Sequence, residues 1–129
     1  MNELEIIFRY YNPNPLKKET GDCVVRALAF FLGVTWRKAF LDVIAWCADQ
    51  GLVSFNYRRT FTMYLKEIGY CRNRTPRKGM TVGEFRDNIA EKGRTYIVSI
   101  SHHLTVIQDG VLYDTRDCSE KIMDGYWVR

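Results

Sequence analysis

Three residues far apart in the chain can act together as a nucleophile, a base and an orienting acid: Cys23, His103 and Asp114. Cys23 stands at the head of an apolar stretch, Gly21-Asp22-Cys23-Val24-Val25-Arg26-Ala27-Leu28-Ala29-Phe30-Phe31-Leu32-Gly33, in which Arg26 is the only charge after Asp22. Asp22 suits an N-cap and Gly33 a C′ position, so the stretch between them is expected to be helical. Apolar on nearly every side, that helix should be a buried spine. A sulfur in its first turn meets unpaired N–H groups and the positive end of the helix dipole, both of which favour the thiolate.

The other two residues fall in a region of strand-like pattern. Ser101-His102-His103 leads into Leu104-Thr105-Val106-Ile107-Gln108, and Asp109-Gly110 then gives a strong hairpin signal before Val111-Leu112-Tyr113-Asp114. The hairpin is expected to set positions 103 and 114 opposite each other, with Cβ atoms ~5 Å apart. A carboxylate there accepts the imidazole N–H, fixes the tautomer and orients the ring. Alternation sends His102 to the other face as a turn or surface residue. Asp117, beyond the hairpin, reads as a turn or capping residue. In this arrangement Cys23 attacks an acyl carbon as thiolate, His103 serves first as base and then as acid, and Asp114 holds it in place.

The remaining elements must position these three. Leu4 to Tyr11 has the composition of an opening strand, and Asn12-Pro13-Asn14-Pro15 forces extended or turn geometry next to the spine helix. A second helix is expected from the Thr35 cap to Gly51, with Trp36, Ala39, Phe40, Val43, Ile44 and Cys47 on one face. A third fits Tyr57 to Ile68. Thr81-Val82-Gly83-Glu84 is a capping-box sequence that opens a short fourth helix, expected to reach about Glu91 and to stop at Gly93. Strands follow at Thr95 to Ile100, in the hairpin, and at Gly125 to Val128. With helices first and an antiparallel sheet after them, the class is α+β.

Composition sets the limits. A chain of 129 residues that is 47% hydrophobic has enough length for a single domain with one core, residues 1–129. An acidic start, Met1-Asn2-Glu3-Leu4-Glu5, argues against a secretory leader, and no apolar run reaches the ~20 residues of a membrane span. Cys23, Cys47, Cys71 and Cys118 are unevenly spaced, which reads as free thiols in a reducing cytoplasm. The net charge is +4, and Arg72, Arg74, Arg77 and Lys78 form a basic loop without an acid. That loop is either solvated or a patch for an acidic partner. It lacks the arginine–aromatic interleaving of a nucleic-acid binder. Zinc held by His102, His103, Cys118 and another thiol lacks the paired spacings of structural sites. No metal or other cofactor is implied.

The order Cys, His, Asp resembles the papain-like and transglutaminase-like cysteine peptidase superfamily. Gly21-Asp22-Cys23-Val24-Val25-Arg26-Ala27, then His103-x(6)-Gly110-x(3)-Asp114-Thr115, then Tyr126-Trp127 is similar to a set of small phage and bacterial proteins with that fold. The likeness runs from about Tyr10 to Val128. It implies a papain-like fold with Cys23, His103 and Asp114 as the triad, a thioester acyl-enzyme and a peptide or amide substrate. The setting it implies is the cytoplasm of a bacterium or of a phage's host. The pattern departs from the superfamily at the oxyanion hole: where papain-like peptidases carry a glutamine shortly before the cysteine, Lys17 stands here, and no glutamine precedes Cys23. Asn14 is the first substitute as a side-chain amide donor and Asn12 the second. Two functions stay open at this point, a thiol hydrolase (peptidase, isopeptidase or amidase, or a transferase by the same acyl-enzyme) and an inactive papain-like fold used as a binding or inhibitory module.

Overall fold

The apolar run that opens at Cys23 becomes the helix around which the rest is packed. The computed structural model of the chain describes residues 5–129, so Leu4 of the expected opening strand and residues 1–3 lie outside what is described. Helix α1 spans Cys23–Leu32, and Val24, Val25, Ala27, Leu28, Ala29 and Phe31 are each almost fully buried. Its end is set by Gly33 in the left-handed conformation, with Val34 N–H donating to the Ala29 carbonyl at 3.0 Å and Gly33 N–H to Phe30 at 3.2 Å. Only a residue without a Cβ takes that conformation at no steric cost.

Helix α2, Trp36–Gln50, starts at Thr35, whose hydroxyl accepts the Lys38 N–H, and helix α3 covers Arg58–Glu67. Ala39 and Val43 of α2 and Phe61, Tyr64 and Leu65 of α3 share one apolar cluster with α1, Ile97 and Trp127. Ile44, expected on the buried face of α2, is instead partly open to solvent. Helix α4, Val82–Asn88, carries the full capping box between Thr81 and Glu84. It ends three residues before the expected Glu91, because the Glu91 N–H is taken by the Tyr96 hydroxyl at 2.9 Å instead of by a helical carbonyl.

Five strands follow in space as β1–β4–β3–β2–β5: β1 is Phe8–Tyr10, β2 Thr95–Ile100, β3 His103–Gln108, β4 Val111–Asp114 and β5 Met123–Val128. Both faces of the sheet are covered. Ile97, Leu104, Val106 and Trp127 join the cluster of α1, α2 and α3, while Tyr96, Val98, Ile107 and Leu112 pack with Phe85 and Val82 of α4. Double coverage explains why β2 reads as a continuous apolar run without clean alternation.

Two sequence expectations are corrected here. The sheet is mixed, not antiparallel throughout, because β1 runs parallel to β4 along its edge, with Tyr10 beside Asp114. Positions 103 and 114 are not direct partners either. The two-residue turn at Asp109-Gly110, with φ of 50° and 75°, pairs Gln108 with Val111, Ile107 with Leu112 and Val106 with Tyr113. Continued one step, that register puts Thr105 opposite Asp114. His103 lies two residues further along the strand, on the same face, and meets the carboxylate diagonally. No helix among the described residues is long and apolar enough to cross a membrane.

Candidate active site

The loop before α1 delivers Cys23. Gly21, with φ of 66°, turns the chain into Asp22, and Asp22 makes no side-chain hydrogen bond to the first turn of the helix. Its carboxylate is engaged elsewhere. It pairs with Arg26 one turn on and accepts from Trp36 Nε1 at 2.8 Å, so it ties α2 to the start of α1. Trp36 therefore does more than pack, a role that its place after the Thr35 cap did not reveal. The first-turn amides of α1, where Cys23 sits, are left without a side-chain acceptor.

The β2–β3 turn delivers the imidazole. Ile100 pairs with His103 across Ser101-His102, and His102 adopts a left-handed φ of 57° at the exposed tip. His103 follows as the first residue of β3, half-buried, and its Nε2 lies 2.6 Å from Asp114 Oδ2. Cys23 lines the same cavity as this ring. Asp114 is 3% exposed; its Oδ1 accepts the Thr115 N–H at 2.6 Å and faces Arg26 Nη2 at 3.4 Å. Arg26 thus spans from Asp22 to Asp114 and links the helix that carries the thiol to the strand that carries the carboxylate.

The electrostatics follow from these neighbours. Burial alone would raise the Cys23 pKa, but hydrogen bonding to His103 and to the Leu104 main chain, with the positive charges of His103 and Arg26, holds it below its ordinary value. Burial alone would depress His103, yet the Asp114 carboxylate and the Cys23 sulfur push it up to about 9. Asp114 is likewise held below the usual carboxylate range, against its burial, first by His103. The arrangement favours a thiolate beside an imidazolium, a coupled pair whose protons belong to both groups.

Cys23 and His103 open onto a cavity of about 880 Å³ whose walls include Gly21, Asn56, Tyr57, Ser101 and Arg116. A second cavity, of about 750 Å³, shares His103, Thr115 and Arg116 with the first but does not reach Cys23. Compared with protein-family models, with curated proteins and with solved structures, the chain finds no match.

The structure brings Cys23, His103 and Asp114 together and leaves Asn14 apart. Asn14 is buried in the preceding loop, where its Oδ1 accepts the Leu16 N–H at 2.9 Å and its Nδ2 faces Asp22 Oδ2 at 3.5 Å. It lines neither cavity. Asn12 is also buried and accepts the Asn14 N–H at 3.1 Å. Lys17, six residues before Cys23, donates its ammonium to the Asn12 carbonyl at 2.9 Å. Asp117 accepts the Ser119 N–H at 3.0 Å, as a turn residue does. Asn56, which sequence reading did not single out, lines the Cys23 cavity from the exposed α2–α3 loop; its main-chain N–H bonds Ser54, while its amide has no hydrogen bond among the described residues. No motif marks it, since loop residues reach a site by tertiary placement alone.

Cys118 sits behind the carboxylate. Its Sγ is 3.8 Å from Asp114 Oδ2, and burial, with that carboxylate nearby, pushes its pKa up to about 11. The donor atoms of His103, Asp114 and Cys118 lie within 4.8 Å of one another, the one such cluster among the described residues. Its histidine nitrogen is already engaged with Asp114, and His102 of the imagined zinc set is out at the turn.

Proposed function

We propose that the protein is a thiol hydrolase acting on an amide or peptide bond, with Cys23 as nucleophile, His103 as base and acid, and Asp114 as its orienter. The observation that carries this reading is a first-turn cysteine and a histidine lining one cavity of substrate size, with that histidine's ring 2.6 Å from a buried carboxylate. The Cys23 thiolate adds to the carbonyl carbon, and the C–N bond breaks as the His103 imidazolium delivers its proton to the leaving amine. Neutral His103 then takes a proton from water, which attacks the thioester and regenerates the thiol. Asp114 keeps the ring aligned through both steps without changing its own charge. First-turn main-chain N–H groups of α1, which no side chain caps, are the donors for the developing oxyanion. The papain-like architecture belongs to the same proposal, supported by the helix-borne cysteine set against a sheet-borne histidine and acid.

The test is acylation by p-nitrophenyl acetate, followed by nitrophenolate release and intact-mass spectrometry. The expected result is a stoichiometric burst, an acetyl group mapped to Cys23 and its loss by hydrolysis, all absent from Cys23→Ala and strongly slowed in His103→Ala. If Cys23 acquires no acetyl group while exposed Cys71 does, the hydrolase reading fails. The fold would then serve as a binding module, the reading favoured by an Asn14 amide turned toward Asp22.

A further inference from the structure

Of the three arginines that line the Cys23 cavity, two already have carboxylates. Arg26 pairs with Asp22 and Asp114, and Arg58 pairs with Asp124. Arg116 is exposed and makes no ion pair among the described residues. It follows Asp114 by two residues, and the Thr115 N–H that donates to Asp114 Oδ1 at 2.6 Å anchors the backbone between them. Arg116 also lines the second cavity, the one that shares His103 but not Cys23. A leaving group must lie on the His103 side of the attacked carbon, because His103 protonates it. Arg116 therefore stands where the reacting carbon and the departing half of a substrate meet. The acids of this neighbourhood are Glu19 in the first cavity and Asp117 and Glu120 in the second, with Lys121 a further cation there. None of them lines both cavities.

We propose that Arg116 is a specificity residue that selects substrates carrying an anionic group, such as a carboxylate, next to the scissile bond. A guanidinium offers a planar fork of donors matched to a carboxylate, and an unpaired one at a cavity rim gives up no internal partner when it binds. The proposal rests on the hydrolase reading for its meaning, but its electrostatic content can be measured without a substrate.

The experiment compares the second-order rates at which Cys23 is alkylated by iodoacetate, which is anionic, and by iodoacetamide, which is neutral and nearly isosteric. Site-resolved mass spectrometry reads both rates at Cys23, whatever their absolute size. The His103 imidazolium favours iodoacetate by itself, so the deciding quantity is the change in the iodoacetate-to-iodoacetamide ratio between wild type and Arg116→Gln or Arg116→Glu. One unit charge ~4 Å away in water corresponds to about a fivefold factor in rate. The expected result is a ratio lowered about two- to fivefold in Arg116→Gln and further in Arg116→Glu, with both differences shrinking as salt is added. A ratio unchanged in both variants, or a fall that salt does not weaken, overturns the proposal. If Cys23 reacts no faster than Cys71 with either reagent, the hydrolase reading fails by itself, and the ratio still decides whether Arg116 acts on anions at this site.

Discussion

Cys23 and Cys118 flank the same imidazole–carboxylate pair and carry opposite electrostatics. Cys23 meets the His103 ring, the Leu104 main chain and the charge of Arg26, and it is held below the ordinary thiol value. Cys118 meets burial and the Asp114 carboxylate, and it is pushed up to about 11. Both sulfurs lie in largely buried surroundings. The difference is the sign of the nearest charge, which suits Cys23 to the proposed nucleophilic role and leaves Cys118 a protonated filler. Asp114 shapes both environments, which makes the comparison testable from a few positions.

The largest effect is expected at Arg26, which joins the two sides by reaching from Asp22 to Asp114. Arg26→Ala leaves buried Asp22 without its cation and Asp114 with His103 alone, and breaking a buried pair in this way costs about 3–5 kcal/mol. Urea unfolding should show that loss. A change below about 1 kcal/mol, the range of an exposed pair, would mean that the bridge does not organise the site.

Asp114→Asn should bring the two thiols closer in behaviour. Without the carboxylate, His103 falls from about 9 toward the ordinary imidazole value, and the Cys23 thiolate loses its positive neighbour. Alkylation of Cys23 at neutral pH should drop on the order of tenfold, while the Cys118 pKa moves down because an anion beside it has gone. Site-resolved labelling across pH checks both shifts. If only one thiol responds, Asp114 does not govern both.

A subtler consequence concerns stability. Because the His103 pKa is raised, its stabilisation is whole below the unfolded value of 6.5 and is lost as pH rises toward about 9. The lowered Cys23 value works the other way: its stabilisation is present above the ordinary 9.0 and is lost as pH falls through the native value. Between the native Cys23 value and 9.0 the two contributions have opposite slopes and offset each other. Cys23→Ser removes that compensation. Its unfolding free energy should fall from about pH 6.5 upward until His103 titrates, and more steeply than that of wild type, as urea midpoints through that range would record. Parallel profiles for the two proteins would contradict the proton sharing.

Much of this arrangement was legible from local signals. The α1 spine is written in its unbroken apolar run and its closing glycine, and the β3–β4 hairpin in Asp109-Gly110. The same two-residue turn, counted from Gln108 and Val111, sets Thr105 and not His103 opposite Asp114, so the expected direct pairing of 103 with 114 miscounted the register by two while keeping both side chains on one face. The parallel β1 edge was also out of reach, since no turn residue announces a pairing between the first strand and one about a hundred residues later. Asn14 illustrates a different limit. Its amide suited an oxyanion donor by residue type, but a short Asn-Pro loop turns it inward toward Asp22. Asn56 and Arg116 reach the cavity from loops that carry no periodic pattern.

The most direct test of the central claim is the ultraviolet thiolate absorbance of Cys23, taken as the difference between wild type and Cys23→Ser across the pH range. A thiolate already present at neutral pH, with its ionisation moved back toward 9.0 or above in His103→Ala, is the expected result. Cys23 ionising at or above 9.0 in wild type, with or without His103, would contradict the thiolate–imidazolium pair on which the account rests.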